Sequence, residues 1–132
     1  MPRTWARAIQ NKNNKKVFLF GNGGSAADAQ HIAAELVGKY RLVRAGLPAI
    51  ALSTNTSSLT AISNDLSFNL VFAHQIAAFG ECGDIAIGIT TSGKSKNIIE
   101  AFKTAKRKKM ITVALTGEGG RQLKKMVDYC IC

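Results

Sequence analysis

The chain has 132 residues, of which 46% are hydrophobic, and a formal net charge of +10 at pH 7. This length suits a single domain, and no apolar run approaches the roughly 20 residues that span a bilayer, so no membrane association is expected. Residues 1–16 are polar and basic, without the apolar stretch of a secretion signal, which predicts a cytoplasmic protein. Few aromatic residues lie among the clustered cations, so specific nucleic-acid binding is not favoured.

The three cysteines, Cys82, Cys130 and Cys132, are odd in number and contain no C-x-x-C pair. This pattern indicates neither a disulfide framework nor a zinc knuckle. Cys130 and Cys132 alternate as residues on one face of a strand do, and we expect both to pack as small apolar side chains.

Five apolar runs alternate mostly with helical patterns and predict strands over 17–20, 49–52, 84–89, 111–115 and 128–132. The runs are continuous rather than alternating, which is typical of strands buried on both faces. A parallel sheet with helices on each side, and hence an α/β fold, is the prediction.

Helical spacing of apolar residues predicts a helix between the first two strands that ends at Gly38 or Gly46. Further helices are predicted over 97–109 and, as a short element, over 122–127. His74 lies on another helical pattern and is interpreted as a partly buried structural residue.

The loop after the first strand reads Gly21-Asn22-Gly23-Gly24-Ser25-Ala26, a G-x-G-x-x-A pattern between a strand and a helix. Glycines there let backbone N–H groups approach a phosphate, although the tight turn alone would also need them. A dinucleotide site would require a carboxylate at the end of the second strand. That strand ends in Leu52-Ser53-Thr54-Asn55, which argues against this ligand.

Residues 88–95, which include the loop after the third strand, match the P-loop pattern G-x-x-x-x-G-K-S. We expect Gly88 to lie within the strand, which leaves too short a loop for a triphosphate. The loop is nevertheless rich in hydroxyl groups, which belong to Thr90, Thr91, Ser92 and Ser95. These hydroxyl groups suit a phosphate monoester, or serve only as turn and capping groups.

His31 and Glu35 are four positions apart on the first predicted helix and share a face, close to the first loop and at the margin of the core. Such a pair can be two metal ligands, a base with its orienting partner, or a surface hydrogen bond. Asn64-Asp65 follows a hydroxyl-rich stretch, 53–63, that we expect to form a loop beside the two phosphate loops. There Asp65 would contact sugar hydroxyls or serve as a turn or helix cap.

Several segments follow one another in a recognisable order: GNGGSAADAQH at 21–31, AEL at 34–36, LPAIAL at 47–52, ND at 64–65, TSG at 91–93 and TVALTG at 112–117. Together they resemble the sugar isomerase (SIS) domain family and, within it, the phosphoheptose isomerases. The resemblance extends over nearly the whole chain, and ordered segments are more specific than either loop alone.

The resemblance implies a flavodoxin-like, doubly wound five-stranded parallel sheet with helices on both faces. It implies the aldose-ketose isomerisation of sedoheptulose 7-phosphate to D-glycero-D-manno-heptose 7-phosphate through an enediol, for bacterial lipopolysaccharide heptose. Glu35 would be the catalytic base, and His31 and Glu35 two of the zinc ligands. Substrate contacts are implied for Asn22, Gly23, Gly24, Ser25, Asn64, Asp65, Thr90, Thr91, Ser92 and Ser95.

Family members assemble as tetramers, so the resemblance implies a homo-oligomer. The family pattern also includes an N-terminal helical segment and a C-terminal helix that supplies further metal ligands. We therefore expect residues 1–132 to be one SIS domain without these helices, and its turnover to be weak or absent. Lys94 replaces the family's asparagine and adds a cation near the phosphate, and Thr90 replaces a serine.

Two other functions stay open on the sequence alone. The chain resembles non-enzymatic SIS proteins that bind a protein partner, of the type that associates with the DnaA initiator, but such a module has no chemical use for His31 and Glu35. A sugar-phosphate sensor would use the same loops without turnover.

Overall fold

The computed structural model describes residues 15–132, so the segment 1–14 lies outside the described residues. Five parallel strands form one sheet in the order β2-β1-β3-β4-β5. Every predicted strand is present, within one residue of its predicted bounds. The strands are β1 (Val17–Gly21), β2 (Ala49–Ala51), β3 (Ile85–Thr90), β4 (Ile111–Thr116) and β5 (Tyr129–Ile131). This is the flavodoxin-like order, which confirms the predicted fold class.

Four α-helices connect these strands: α1 (Gly24–Val37), α2 (Thr56–Asp65), α3 (Val71–Phe79) and α4 (Lys96–Arg107). Of the two predicted ends of the first helix, Gly38 is correct, and its N–H donates to the carbonyl of Ala34 at 2.8 Å. The predicted short helix over 122–127 is instead a 3-10 helix over Glu118–Lys125. No helix of the described residues is both long and apolar enough to cross a bilayer.

The helices cover both faces of the sheet and define two apolar clusters. On one face, Ala29 and Ala33 of α1 pack against β1, β2 and β3. The other face holds a phenylalanine cluster, in which Phe20 of β1 lies 5.6 Å from Phe72 of α3 and 5.5 Å from Phe102 of α4, between ring centroids. Each of these fully buried rings contributes about 1.5–3 kcal/mol of hydrophobic stabilisation.

His74 does not belong to this cluster. The side chains of Val71, Phe72 and Ile76 are buried, as their helical spacing predicts, but His74 lies on the exposed face of α3. The interpretation of His74 as a partly buried structural residue is therefore wrong. A helix that packs on one face only leaves such intervening positions in solvent.

The carboxylates of Asp84 and Asp128 hold the amino ends of the strands in place. Asp84 is fully buried and accepts hydrogen bonds from the N–H of Lys16 (2.9 Å) and of Glu81 (2.8 Å). Asp128 accepts from the N–H of Thr112 at 2.9 Å in the same way. Because these contacts set the start of β1, β3 and β4, the opposite ends of the strands reach the carboxyl edge in fixed register.

Gly88 lies in the middle of β3 and makes room for the phenylalanine cluster. A Cβ atom at this position would lie 2.6 Å from Cζ of Phe102 and 2.8 Å from Cε2 of Phe20. Gly88 is therefore a packing glycine rather than part of a phosphate-binding loop. This position agrees with the rejection of the P-loop pattern.

We predict that Gly88→Ala lowers the free energy of unfolding by about 1–3 kcal/mol, since the added methyl group overpacks two aromatic rings. Gly24→Ala is the matched control, because nothing lies within 4 Å of a Cβ atom there. The control should leave stability unchanged or slightly raised. Urea denaturation of both variants measures the difference, and a Gly88→Ala chain as stable as the parent would contradict the packing role.

Candidate functional site

The carboxyl ends of β1, β3 and β4 lie side by side. Gly21 at the end of β1 pairs with Ile89 of β3, and Thr90 pairs with Thr116 of β4. A Cβ atom on Gly21 would lie only 2.9 Å from the carbonyl oxygen of Ile89. The loops that follow these strands therefore begin next to one another, as the sequence predicts for a parallel sheet.

A reciprocal pair of side-chain amides joins the first two of these loops. Nδ2 of Asn22 donates to Oδ1 of Asn97 at 2.9 Å, and Nδ2 of Asn97 donates to Oδ1 of Asn22 at 2.9 Å. Asn97 lies in the first turn of α4 and is only 3% exposed. This contact, here called the amide pair, fixes the position of the first loop relative to the second. Sequence analysis did not single out Asn97.

The first loop presents exposed backbone at the start of α1. Gly23 has a φ of 57°, a left-handed conformation that favours glycine, and caps α1 without a side-chain hydrogen bond. Gly23 and Gly24 are exposed, and nothing lies within 4 Å of a Cβ atom at either position. A helix N-terminus without a capping side chain keeps unpaired N–H groups and partial positive charge, which attract anions.

The hydroxyl groups of the second loop have different roles. Thr90 is buried, and its Oγ1 accepts a hydrogen bond from the N–H of Gly93 at 3.2 Å, while Oγ of the exposed Ser92 accepts from the N–H of Lys94 at 3.2 Å. These two hydroxyls shape the loop and keep their own protons available to donate. Ser95 occupies the N-cap position of α4, yet its side chain makes no capping hydrogen bond. The capping interpretation therefore does not account for the Ser95 hydroxyl.

Residues 117–120, the turn after β4 with the start of the 3-10 helix, are here called the third loop and support the second. Gly93 has a φ of 67°, and a Cβ atom there would lie 2.4 Å from Cα of Gly120. Nε2 of Gln122 donates to the carbonyl of Gly93 at 3.2 Å, and the N–H of Gly117 donates to the carbonyl of Thr91 at 3.2 Å. These contacts join residues far apart in the chain, so no local sequence pattern predicts them.

His31 and Glu35 meet on the exposed side of α1. Nε2 of His31 lies 3.5 Å from Oε1 of Glu35, and the two side chains are 77% and 38% exposed. They border an open cavity of about 360 Å³ that is also lined by Ile32, Leu36, Tyr40 and Arg44. The guanidinium of Arg44 donates to the carbonyls of Glu35 (3.1 Å) and Leu36 (3.0 Å), which pairs carbonyls that the end of the helix leaves free.

The structure does not place this pair against the phosphate loops. His31 lies six residues after Ser25, about 9 Å farther along the helix axis. None of the predicted phosphate-binding residues is among those that line the cavity. Glu35 is half-buried beside Ile32 and Leu36, which pack partly on the sheet, as expected for the margin of the core. That the pair and the first loop serve one site stays a prediction.

The stretch before Asn64-Asp65 is a helix and not the loop predicted from its hydroxyl content. Oδ1 of Asn55 accepts from the N–H of Ser58 at 3.0 Å and caps α2, which runs from Thr56 to Asp65. Asn64 and Asp65 are exposed at the far end of α2, about 13 Å along its axis from its start, and Nδ2 of Asn64 donates to Oδ1 of Asp65 at 3.0 Å. The helix thus carries them away from the tip of β2, and their substrate contacts stay a prediction.

Comparison with known proteins identifies the family. Residues 4–117 match the model of the SIS domain, and the chain belongs to this family. A phosphoheptose isomerase of Sulfurimonas denitrificans is 56% identical over 120 residues, which are 91% of this chain and 62% of that protein. The phosphoheptose isomerase of Nitratiruptor sp. is 54% identical over 120 residues, which are 91% of this chain and 64% of that protein. The chain thus spans less than two thirds of the length of these relatives.

Two solved structures are also similar to this chain. Phosphoheptose isomerase GmhA from Neisseria gonorrhoeae has 46% sequence identity and a TM-score of 0.83, over 94% of this chain and 63% of that chain. A phosphoheptose isomerase from Francisella tularensis has 40% identity and a TM-score of 0.86, over 94% of this chain and 66% of that chain.

We predict that Asn97→Ala lowers the free energy of unfolding by about 1–3 kcal/mol, because it leaves the amide of Asn22 without its partner. In a double-mutant cycle, Asn22→Ala and Asn97→Ala should couple by more than about 0.5 kcal/mol. Asn69→Ala, at an exposed asparagine, is the control and should be close to neutral. Additive effects of the two substitutions in denaturant unfolding would refute the role of the amide pair.

Proposed function

We propose that this chain carries the phosphate-binding loops and the catalytic base of a phosphoheptose isomerase. The observation that supports the proposal most strongly is the amide pair, because it holds an exposed helix N-terminus next to a loop rich in hydroxyl groups. The relatives that share half or more of their aligned residues with this chain bear the same name. The substrate would be sedoheptulose 7-phosphate.

The phosphate group would bind at the first two loops. The open backbone at Gly23 and Gly24 would donate N–H groups, and Ser25 would donate its hydroxyl. Thr90, Thr91, Ser92 and Ser95 would donate from the second loop, and a phosphate monoester accepts several such hydrogen bonds at once. The exposed ammonium group of Lys94 would add long-range attraction for a dianion and raise its rate of association.

A zinc ion would be held by His31 and Glu35. Two ligands of a tetrahedral zinc ion, each about 2.0–2.2 Å from the metal, are separated by about 3.4 Å, close to the 3.5 Å between these two side chains. No group of three or more His, Cys, Asp or Glu side chains in the described residues is arranged to hold a metal. The remaining ligands would therefore come from another copy or from residues outside those described. When bound, zinc would polarise the carbonyl oxygen of the sugar.

Glu35 would transfer the proton on which the reaction depends. Conversion of a ketose to an aldose removes a proton from the first carbon and returns it to the adjacent second carbon through an enediol, while the carbonyl moves from the second carbon to the first. A carboxylate held by a histidine neighbour can take the proton with one oxygen and give it back from the same side. General base catalysis of this kind contributes typically 10² to 10⁴-fold.

The separation of the first loop from the pair of His31 and Glu35 along α1 suits a long substrate. Ser25 and His31 are about 9 Å apart along the helix axis, and an extended seven-carbon chain with a terminal phosphate would bridge this distance. Asn64 and Asp65 would contact sugar hydroxyls. Because they lie at the far end of α2, the sugar that they contact would more readily be one bound to a neighbouring copy than one bound to the same chain.

A homo-oligomer, a tetramer by analogy with the family, is part of the proposal. Apolar side chains next to the cavity of His31 and Glu35 are exposed: Val37 (51%), Tyr40 (61%), Leu42 (73%) and Val43 (88%). Large apolar side chains exposed close together in the sequence suit an interaction site. The cytoplasmic location and the route to surface heptose also belong to this proposal.

We predict that Glu35→Gln separates binding from chemistry. With zinc present, the chain should bind sedoheptulose 7-phosphate and exchange its C1 hydrogen with deuterated water. The variant should keep the affinity for the sugar phosphate within about threefold, while the exchange rate should fall by about 10² to 10⁴-fold. Calorimetry and proton NMR measure the two quantities.

Asp28→Asn, at an exposed carboxylate one turn before His31 on α1, is the matched control and should change neither quantity. Exchange by Glu35→Gln at the parental rate would contradict the role of Glu35. Failure of the parent chain to bind any heptose or hexose phosphate would contradict the proposed function itself.

A further inference from the structure

Two cysteines share one face of the edge strand of the sheet. Cys130 lies within β5, paired with Ala114 of β4, and Cys132 directly follows β5. Residues two positions apart in an extended chain point to the same side. The expectation that both cysteines pack as apolar residues holds for Cys130, which is half-buried against the phenylalanine cluster, but not for Cys132, which is exposed.

The neighbours of the two thiols make them chemically unequal. Oγ1 of Thr116 donates to Sγ of Cys132 at 3.6 Å. This hydrogen bond, the contact with the Cys130 thiol and the charges of Lys124 and Arg121 lower the pKa of Cys132, against a smaller effect of burial. Burial is the main cause that raises the pKa of Cys130. The thiolate, which is the nucleophile, therefore forms at Cys132 first.

A disulfide between the two cysteines requires a local change of the backbone. Two residues of strand rise separate the Cα atoms by about 6.4–6.8 Å, and the Cβ atoms of an extended chain are about equally far apart, whereas a disulfide needs Cβ atoms about 3.5–4.5 Å apart. The chain at Cys132, which lies outside β5, therefore bends when the bond forms, and such a disulfide is strained and is reduced easily. β5 has three residues and one neighbouring strand, so it can adjust at small cost to the rest of the sheet.

We propose that Cys130 and Cys132 form a redox-active dithiol, which peroxides oxidise reversibly to a disulfide. The thiolate of Cys132 attacks one oxygen of hydrogen peroxide, the O–O bond breaks, and water leaves after taking up a proton, so that Cys132 becomes a sulfenic acid. The thiol of Cys130 then attacks this sulfur, an S–S bond forms and a second water leaves. Peroxide is reduced by two electrons and the dithiol is oxidised by two. The site is independent of the proposed isomerase activity.

Mass spectrometry of the chain after brief treatment with stoichiometric hydrogen peroxide tests this proposal. The expected product is lighter by two hydrogen atoms and keeps one alkylatable thiol, at Cys82. Dithiothreitol should restore all three thiols. Before oxidation, iodoacetamide should modify Cys132 at least about threefold faster than the exposed Cys82, and Thr116→Val should reduce this difference.

Three variants define the outcome. Cys82→Ser should form the same internal disulfide, which makes it the matched control. Cys130→Ala should stop at a sulfenic acid on Cys132 that dimedone traps, and Cys132→Ser should leave Cys130 alkylatable. The proposal is overturned if the parent chain keeps three alkylatable thiols, if Cys82 oxidises as fast as Cys132, or if the disulfide joins two chains.

Discussion

Two side-chain amides hold the functional edge of this sheet together. Asn22 and Asn97 each donate to and accept from the other, and Asn97 is almost fully buried. A buried amide without a partner costs about 1–3 kcal/mol, so neither side chain can move away alone. The first loop and the start of α4 are consequently fixed relative to each other before any ligand binds. Electrostatic preorganisation of this kind is what an anion site needs.

The third loop in turn holds the second loop in place. A Cβ atom on Gly93 would lie 2.4 Å from Cα of Gly120, and Gln122 donates to the carbonyl of Gly93. The loops after three neighbouring strands thus form one connected unit at the carboxyl edge. By contrast, His31 and Glu35 lie 3.5 Å apart on a solvent-exposed part of α1. The connected loops suit the proposed phosphate site, whereas the proposed metal site would need further groups to be complete.

Local patterns sufficed for most of the fold and for part of the site. Continuous apolar runs located the five strands, most clearly β1 and β3, which are buried on both faces, and the glycine and hydroxyl positions located two loops. The contact between Asn22 and Asn97 could not be predicted, since 75 residues separate its partners and Asn97 lies in no distinctive pattern. Asn64 and Asp65 were misplaced for another reason: the hydroxyl groups of 53–63 resembled a loop, but a single capping residue, Asn55, starts a helix there.

An NMR titration of the amide resonances with inorganic phosphate measures whether the first and second loops form one anion site. If they do, the N–H signals of Gly23, Gly24 and Ser25 and those of Ser92 and Ser95 shift together, with one dissociation constant. Signals around Asn69 should remain in place. Shifts in only one loop, two different dissociation constants, or no shift in either loop would show that the loops do not form one site.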